Sequence, residues 1–264
     1  MSVLKSQRTL SRHEYVHTFE KLYKYTQERI SKVSKRKYNW LCMPIINNMN
    51  SIYNHVMQIN NEYFCYGIKL MDRKDQANLV INELKDLQKP LLALWNIEKY
   101  ETKKMAIWSD MINEEIKYIS RLGGLQEGEV KHIFILDYKA VQEADFIRVM
   151  CELHKLIYSK TISLSDVARS TNGVLLMSLA DEALYRVCHA NRFVPTNKKM
   201  VENRKEDLSI AYDCLRQMQQ PMISIFNIMN YSENTMIEFA SKLDSEMRLL
   251  KGVLQSDKKR FANL

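Results

Sequence analysis

The chain has 264 residues, enough for one large domain or two modest ones, each able to bury a core. Six Gly and four Pro, abundant aliphatics, Met, Lys and Glu, and little strand-type alternation point to helices and argue against a β fold. The formal charge is +8, and Met1 to Lys37 holds ten basic residues against three acids, so nearly all the excess lies at one end. Five cysteines, no charged-apolar leader and apolar runs of only a few residues, such as Ile133–Leu136, lead us to expect a reduced, soluble, cytoplasmic protein without membrane contact.

An internal repeat organises the chain. A shift of 131 positions lays Pro90-Leu91-Leu92-Ala93-Leu94-Trp95-Asn96-Ile97 on Pro221-Met222-Ile223-Ser224-Ile225-Phe226-Asn227-Ile228. Without a gap it also pairs Asn60 with Asn191, Arg73-Lys74-Asp75 with Arg204-Lys205-Glu206, Tyr100 with Tyr231, Trp108 with Phe239 and Glu115 with Glu246. Shared helical periodicity would align apolar residues but not Pro, Asn and the Arg-Lys pair. Gly123, Gly124 and Gly128 mark the junction, since glycine suits helix ends and linkers. The expected organisation is all-α, two tandem up-down four-helix bundles over residues 1–130 and 131–264.

The first helix is expected over about 12–33, opened by the capping pattern Ser11-Arg12-His13-Glu14 and carrying Val16, Phe19, Tyr23, Thr26 and Ile30 on one face. A second helix follows at about 40–61 with Ile45, Met49, Tyr53 and Val56 on one face. A third, capped by Asp72, spans about 73–97. A fourth has Met105, Trp108, Ile112, Ile116 and Ile119 along its inner stripe. The second copy predicts helices at about 144–160, 164–191, 198–228 and 232–254. Pro90 and Pro221 fall at matching points of the third rods and should kink them. Ile133 to Leu136 reads as an apolar segment docking the linker, despite its strand-like composition.

No Gly-rich phosphate loop, nucleophile elbow or His-Glu-x-x-His pattern occurs. Cys151 and His154 lie one helical turn apart and Cys188-His189 follows, but structural zinc wants four ligands with close Cys pairs. The matching residues of the first copy, Glu20, Tyr23, Met57 and Gln58, do not ligate metal as a set, so the four are expected only to pack. Glu101, Glu114 and Glu115 are expected on a solvated helix face with nothing to raise a pKa. The reading is therefore no enzyme, no metal and no cofactor.

The basic end is the candidate site. Lys32, Lys35, Arg36 and Lys37 stand with Tyr38 and Trp40 at the junction of the first two helices, upstream of which lie Lys5, Arg8 and Arg12. Cations neutralise phosphates and release counterions, and exposed aromatics stack on unpaired bases. Alternatively Trp40 turns into the bundle. Arg73-Lys74 and Arg204-Lys205 recur at the start of the third helix of each copy, where cations oppose the helix dipole, so stability does not explain them.

Three stretches carry a family resemblance. They are Lys5-Ser6-Gln7-Arg8 with Ser11, Glu14 and Tyr15, the turn Lys35-Arg36-Lys37-Tyr38-Asn39-Trp40, and Ala190-Asn191-Arg192-Phe193-Val194-Pro195-Thr196-Asn197 followed by Arg204-Lys205. In these the chain resembles the four-helix-bundle accessory variability determinants of diversity-generating retroelements and the related intervening-sequence proteins of bacterial ribosomal RNA. The resemblance implies a non-enzymatic accessory that binds a reverse transcriptase and its template RNA or cDNA, and members that form rings of single modules, commonly five. Two fused modules cannot supply an odd number from whole chains, so a fused pseudo-dimer or an even-membered homo-oligomer is expected. The first module is expected to face nucleic acid and the second protein. The alternative is a helical scaffold that binds only protein partners.

Overall fold

The computed structural model describes residues 14–61, 73–123, 144–192, 194–229 and 232–264. The protein is all-α, with no strand among the described residues. It divides into two compact units: residues 1–94 with 100–135, and residues 95–99 with 136–264. The Ser11 cap, the Asp72 cap, the Ile133–Leu136 segment and the expected boundary at 130/131 lie outside the described residues.

In the first unit, α1 is Glu14–Ile30, α2 Lys35–Leu41, α3 Met43–Asn61, α4 Arg73–Asp86 and α6 Thr102–Leu122, and α5, Gln88–Glu98, belongs to it as far as Leu94. Tyr15, Val16, Phe19, Leu22, Thr26 and Ile30 recur every three or four residues along α1 and are all buried. Each fully buried side chain of this size contributes about 1.5–3 kcal/mol of transfer free energy. The α1 rod packs on α6 and α3, α3 packs on α4, and α4 packs on α6, so each rod has two neighbours. Trp108 of α6 is locked by an Nε1–H bond of 3.0 Å to the Thr26 hydroxyl and by Tyr25 edge-on at 5.8 Å.

The second unit holds α7 (Asp145–Ile162), α8 (Val174–Ala190), α9 (Lys198–Met229) and α10 (Glu233–Arg260). Asp166–Ala168 and a π turn at Arg169–Gly173 lead into α8. Gly173 is required there, because a Cβ would stand 2.8 Å from the buried Thr161 methyl. The neighbour pattern is cyclic again: α7 on α8 and α10, α8 on α9, and α9 on α10.

The third rod differs between the units. Pro221 lies inside the continuous helix α9, whereas the first unit breaks at Leu87 and Pro90 is the third residue of α5, where its missing N–H is tolerated. The expected second helix is likewise divided at Cys42 into α2 and α3.

Glu115 corrects the sequence reading. Glu114 is exposed, but Glu115 is fully buried in α6, as is its counterpart Glu246 in α10. Thr18 donates a short hydrogen bond to Glu115 Oε2, while Oε1 and both oxygens of Glu246 have no protein partner. Desolvation pushes the Glu115 carboxyl up to about 8 and the Glu246 carboxyl up to about 9, so both are protonated at neutral pH.

A raised folded pKa means that folding favours the protonated form. The associated stability is full below the ordinary carboxyl value of 4.5 and declines as pH rises toward about 8 for Glu115 and about 9 for Glu246. The double variant Glu115→Gln/Glu246→Gln should lose less stability than the parent between about pH 5 and about pH 9 in urea unfolding. An unchanged pH profile would show that these carboxyls do not titrate from buried sites.

Candidate nucleic-acid interface

The basic turn is shaped by what it buries. Ser31, Lys32 and Val33 close the end of α1 through N–H bonds of 3.0, 3.3 and 3.0 Å to Gln27, Arg29 and Ile30. The Ser34 carbonyl then accepts from Lys37 and Tyr38 at 3.0 Å, starting α2. Val33, Leu41 and Cys42 face the core, so Lys32, Lys35 and Arg36 are left exposed and Lys37 half-buried. Three cations in the first turn of α2, with no acid among them, oppose the helix dipole. Tyr38 and Trp40 are half-buried, which limits the stacking surface they offer.

A cleft of about 260 Å³ opens beside this turn. Tyr23, Gln27 and Ser31 form one side and Tyr38 another, over Ile46 and Met49. Tyr23 is fixed by its hydroxyl donating to Asn50 Oδ1 at 2.7 Å and by Tyr53 at 5.9 Å between ring centroids.

Of the other expected site residues, Lys5, Arg8 and Arg12 lie outside the described residues. Arg73 opens α4, and Lys74 is exposed beside it. The second Arg-Lys pair is split: Lys205 is exposed, but Arg204 is only 12% exposed. Arg204 Nε donates to Asp257 at 2.7 Å, and Nη1 donates to the Ala190 carbonyl. Arg204 therefore ties α9 to α10 and to the end of α8 and is not a free surface cation.

The thiol and imidazole groups of the second unit have internal roles. Asn96 Nδ2 donates at 3.0 Å both to His154 Nδ1 and to the Cys151 carbonyl. His154 Nε2 lies 2.8 Å from Asp181, which also accepts from Tyr158 at 3.0 Å. Both ring nitrogens of His154 are thus engaged. Burial pushes the Cys151 thiol up to about 12 and the Cys188 thiol also well up, so neither offers thiolate at neutral pH. His189 is bonded to Asp207 at 2.6 Å, and Arg186 to the same carboxylate at 2.9 Å. Among the described residues no group of three or more His, Cys, Asp or Glu could hold a metal ion, and no helix is long and apolar enough to cross a membrane.

The buried carboxyls and the cleft were not found from sequence, although Glu115 sits on the stripe Trp108, Ile112, Ile119 and recurs as Glu246, a usable signal. Comparison with protein-family models, curated proteins and solved structures finds no match to this chain.

Replacing Arg204 by Gln should cost about 1–3 kcal/mol, because it leaves Asp257 and the Ala190 carbonyl without their partner. Lys205→Gln should stay within about 0.5 kcal/mol. Thermal unfolding of the two variants checks the split, and equal effects would contradict it.

Proposed function

We propose that the chain is a non-enzymatic nucleic-acid-binding accessory protein, a tandem duplication of one four-helix module, that contacts RNA or DNA through the turn joining α1 to α3. The observation that carries this reading is the exposure of Lys32, Lys35 and Arg36 around one turn, with Lys35, Arg36 and Lys37 in the first turn of α2, where cations oppose the helix dipole. The duplication is supported by matching burial. Tyr15, Val16, Phe19 and Leu22 correspond at the 131-residue shift to Phe146, Ile147, Met150 and Leu153, and all eight are buried. The helix neighbours follow the same cyclic order in both units.

With Tyr38 and Trp40 half-buried, phosphate contact outweighs base stacking, and the interface selects for charge and shape more than for sequence. Lys74, exposed at the start of α4, stands at the far end of α3, about 28 Å along the bundle from the turn, and is not part of this surface. A reverse transcriptase as protein partner follows from the family resemblance alone. Copurification with a polymerase would support it, and a partner set lacking polymerase and nucleic acid would favour the protein scaffold.

The test is binding across a salt series. Changing Lys32, Lys35 and Arg36 together to Gln should weaken binding several-fold and reduce the log-log salt slope by about 2–3 units if each touches a phosphate. A matched removal at Lys251, Lys258 and Lys259, all exposed on α10, should do much less. Equal losses from both sets would mean that only net charge matters.

A further inference from the structure

No charged side chain lines the cleft beside the basic turn among the described residues, although exposed cations adjoin it in the chain on both sides. Ile30 and Met49 are buried beneath it, Tyr23 and Tyr38 wall it, and Gln27 and Ser31 lie exposed at its rim. Gln27 offers an amide donor and acceptor there, while the Ser31 hydroxyl donates to the Glu28 carbonyl at 3.1 Å and keeps its oxygen as an acceptor. Lys32 follows Ser31 directly, and Lys35 precedes Tyr38 by one helical turn. Between Leu22 and Lys37 six cations stand against the single acid Glu28, so the surroundings of the cleft favour an anion.

The opening depends on two residues. Tyr158 and Ile162, 131 positions on from Gln27 and Ser31, are both buried, with Tyr158 against His154 at 4.7 Å between ring centroids. The first unit carries smaller or more polar side chains at those places and keeps a space. Tyr23 is braced by Phe19 at 6.3 Å, by Tyr53 at 5.9 Å and by its hydroxyl bond of 2.7 Å to Asn50, so this wall is set before a ligand arrives. At about 260 Å³ the cleft falls below the roughly 300–1,000 Å³ of pockets for drug-sized molecules, and it suits one flat ring system. The matching ligand is an uncharged planar group with anions on either side, and a nucleobase between two phosphates has that form.

We propose that the cleft takes one unpaired base of a single-stranded nucleic acid, with the phosphates that flank the base lying on Lys32 and Lys35. The inference rests on the nucleic-acid interface proposed above and adds to it a preference for single strands. The base stacks on a tyrosine wall, covers Ile46 and Met49, and bonds along its edge to the Gln27 amide. A paired base cannot enter, so a duplex is held by phosphate contact alone. Because every base has a stacking face and Gln27 can both donate and accept, the cleft separates single strands from duplexes more than it separates one base from another.

Fluorescence anisotropy of the full chain with three DNA probes of one length tests this: a single strand, the same strand with every base replaced by an abasic site, and its duplex. All bases are removed because a strand lacking only one could slide to present another. The abasic strand should bind about fivefold or more weakly than the single strand, at the same salt slope because its phosphates are unchanged. Gln27→Tyr with Ser31→Ile, which fills the cleft with the residues found 131 positions on, should weaken the single strand by a similar factor. It should leave the abasic strand, the duplex and the thermal midpoint unaltered, since both positions are exposed. An abasic strand that binds like the parent strand, or a double variant without effect, would overturn the base site and leave the phosphate interface standing. If Lys32, Lys35 and Arg36 changed together to Gln alter neither affinity nor slope, the interface fails and the base site with it. A free nucleoside monophosphate that binds as tightly as the strand would assign the cleft to a free nucleotide and overturn the strand.

Discussion

The inward stripe of α1 is the constraint on which the candidate site depends. Once Tyr15, Phe19, Leu22 and Ile30 are committed to the core, the chain leaves α1 at a fixed angle and Val33 anchors the turn. The other face of the turn is left outside that core, and it carries the exposed Lys32, Lys35 and Arg36. Cation placement here is a consequence of apolar packing one helical turn away. Charge alone would not have held these groups in one place, because exposed ion pairs contribute little and cations at a helix start are unfavourable.

Much of the helix layout was legible in the sequence because the signals are local. The α9 rod was expected at about 198–228 and is found at Lys198–Met229, and the helix expected from 164 appears as the segments from Asp166 through Ala190. Apolar spacing of three and four residues specifies such elements almost unaided. The breaks at Cys42 and Leu87 fall two and three residues before Pro44 and Pro90, which lack the N–H that would continue the ladder, so the kink expected at Pro90 is found as a break while Pro221 leaves its helix continuous.

At the site, exposure of the basic turn followed from its composition, whereas the fates of Arg204 and Glu115 did not. Arg204 finds its partner Asp257 across 53 residues, a contact that no local pattern encodes. Glu115 looked solvated because its neighbour Glu114 is, yet a shift of one residue on a helix turns a side chain by about 100° and carries it from water to core. Burial of an ionisable group is a tertiary fact, written in sequence only through the recurrence of Glu246. The same recurrence gives meaning to the differences between the units, because an exposed Gln27 is unremarkable until set beside a buried Tyr158.

Function in this account comes from a surface that the two units do not share: the basic turn belongs to the first, and Asp166 to Thr171, 131 positions on, carries a single arginine. The most direct measurement is ultraviolet crosslinking of the full chain to single-stranded RNA and DNA, with the modified peptides identified by mass spectrometry. The account predicts crosslinks concentrated in the peptides spanning residues 32–40. Crosslinks confined to α9 and α10, or spread evenly over every lysine-bearing peptide, would contradict it.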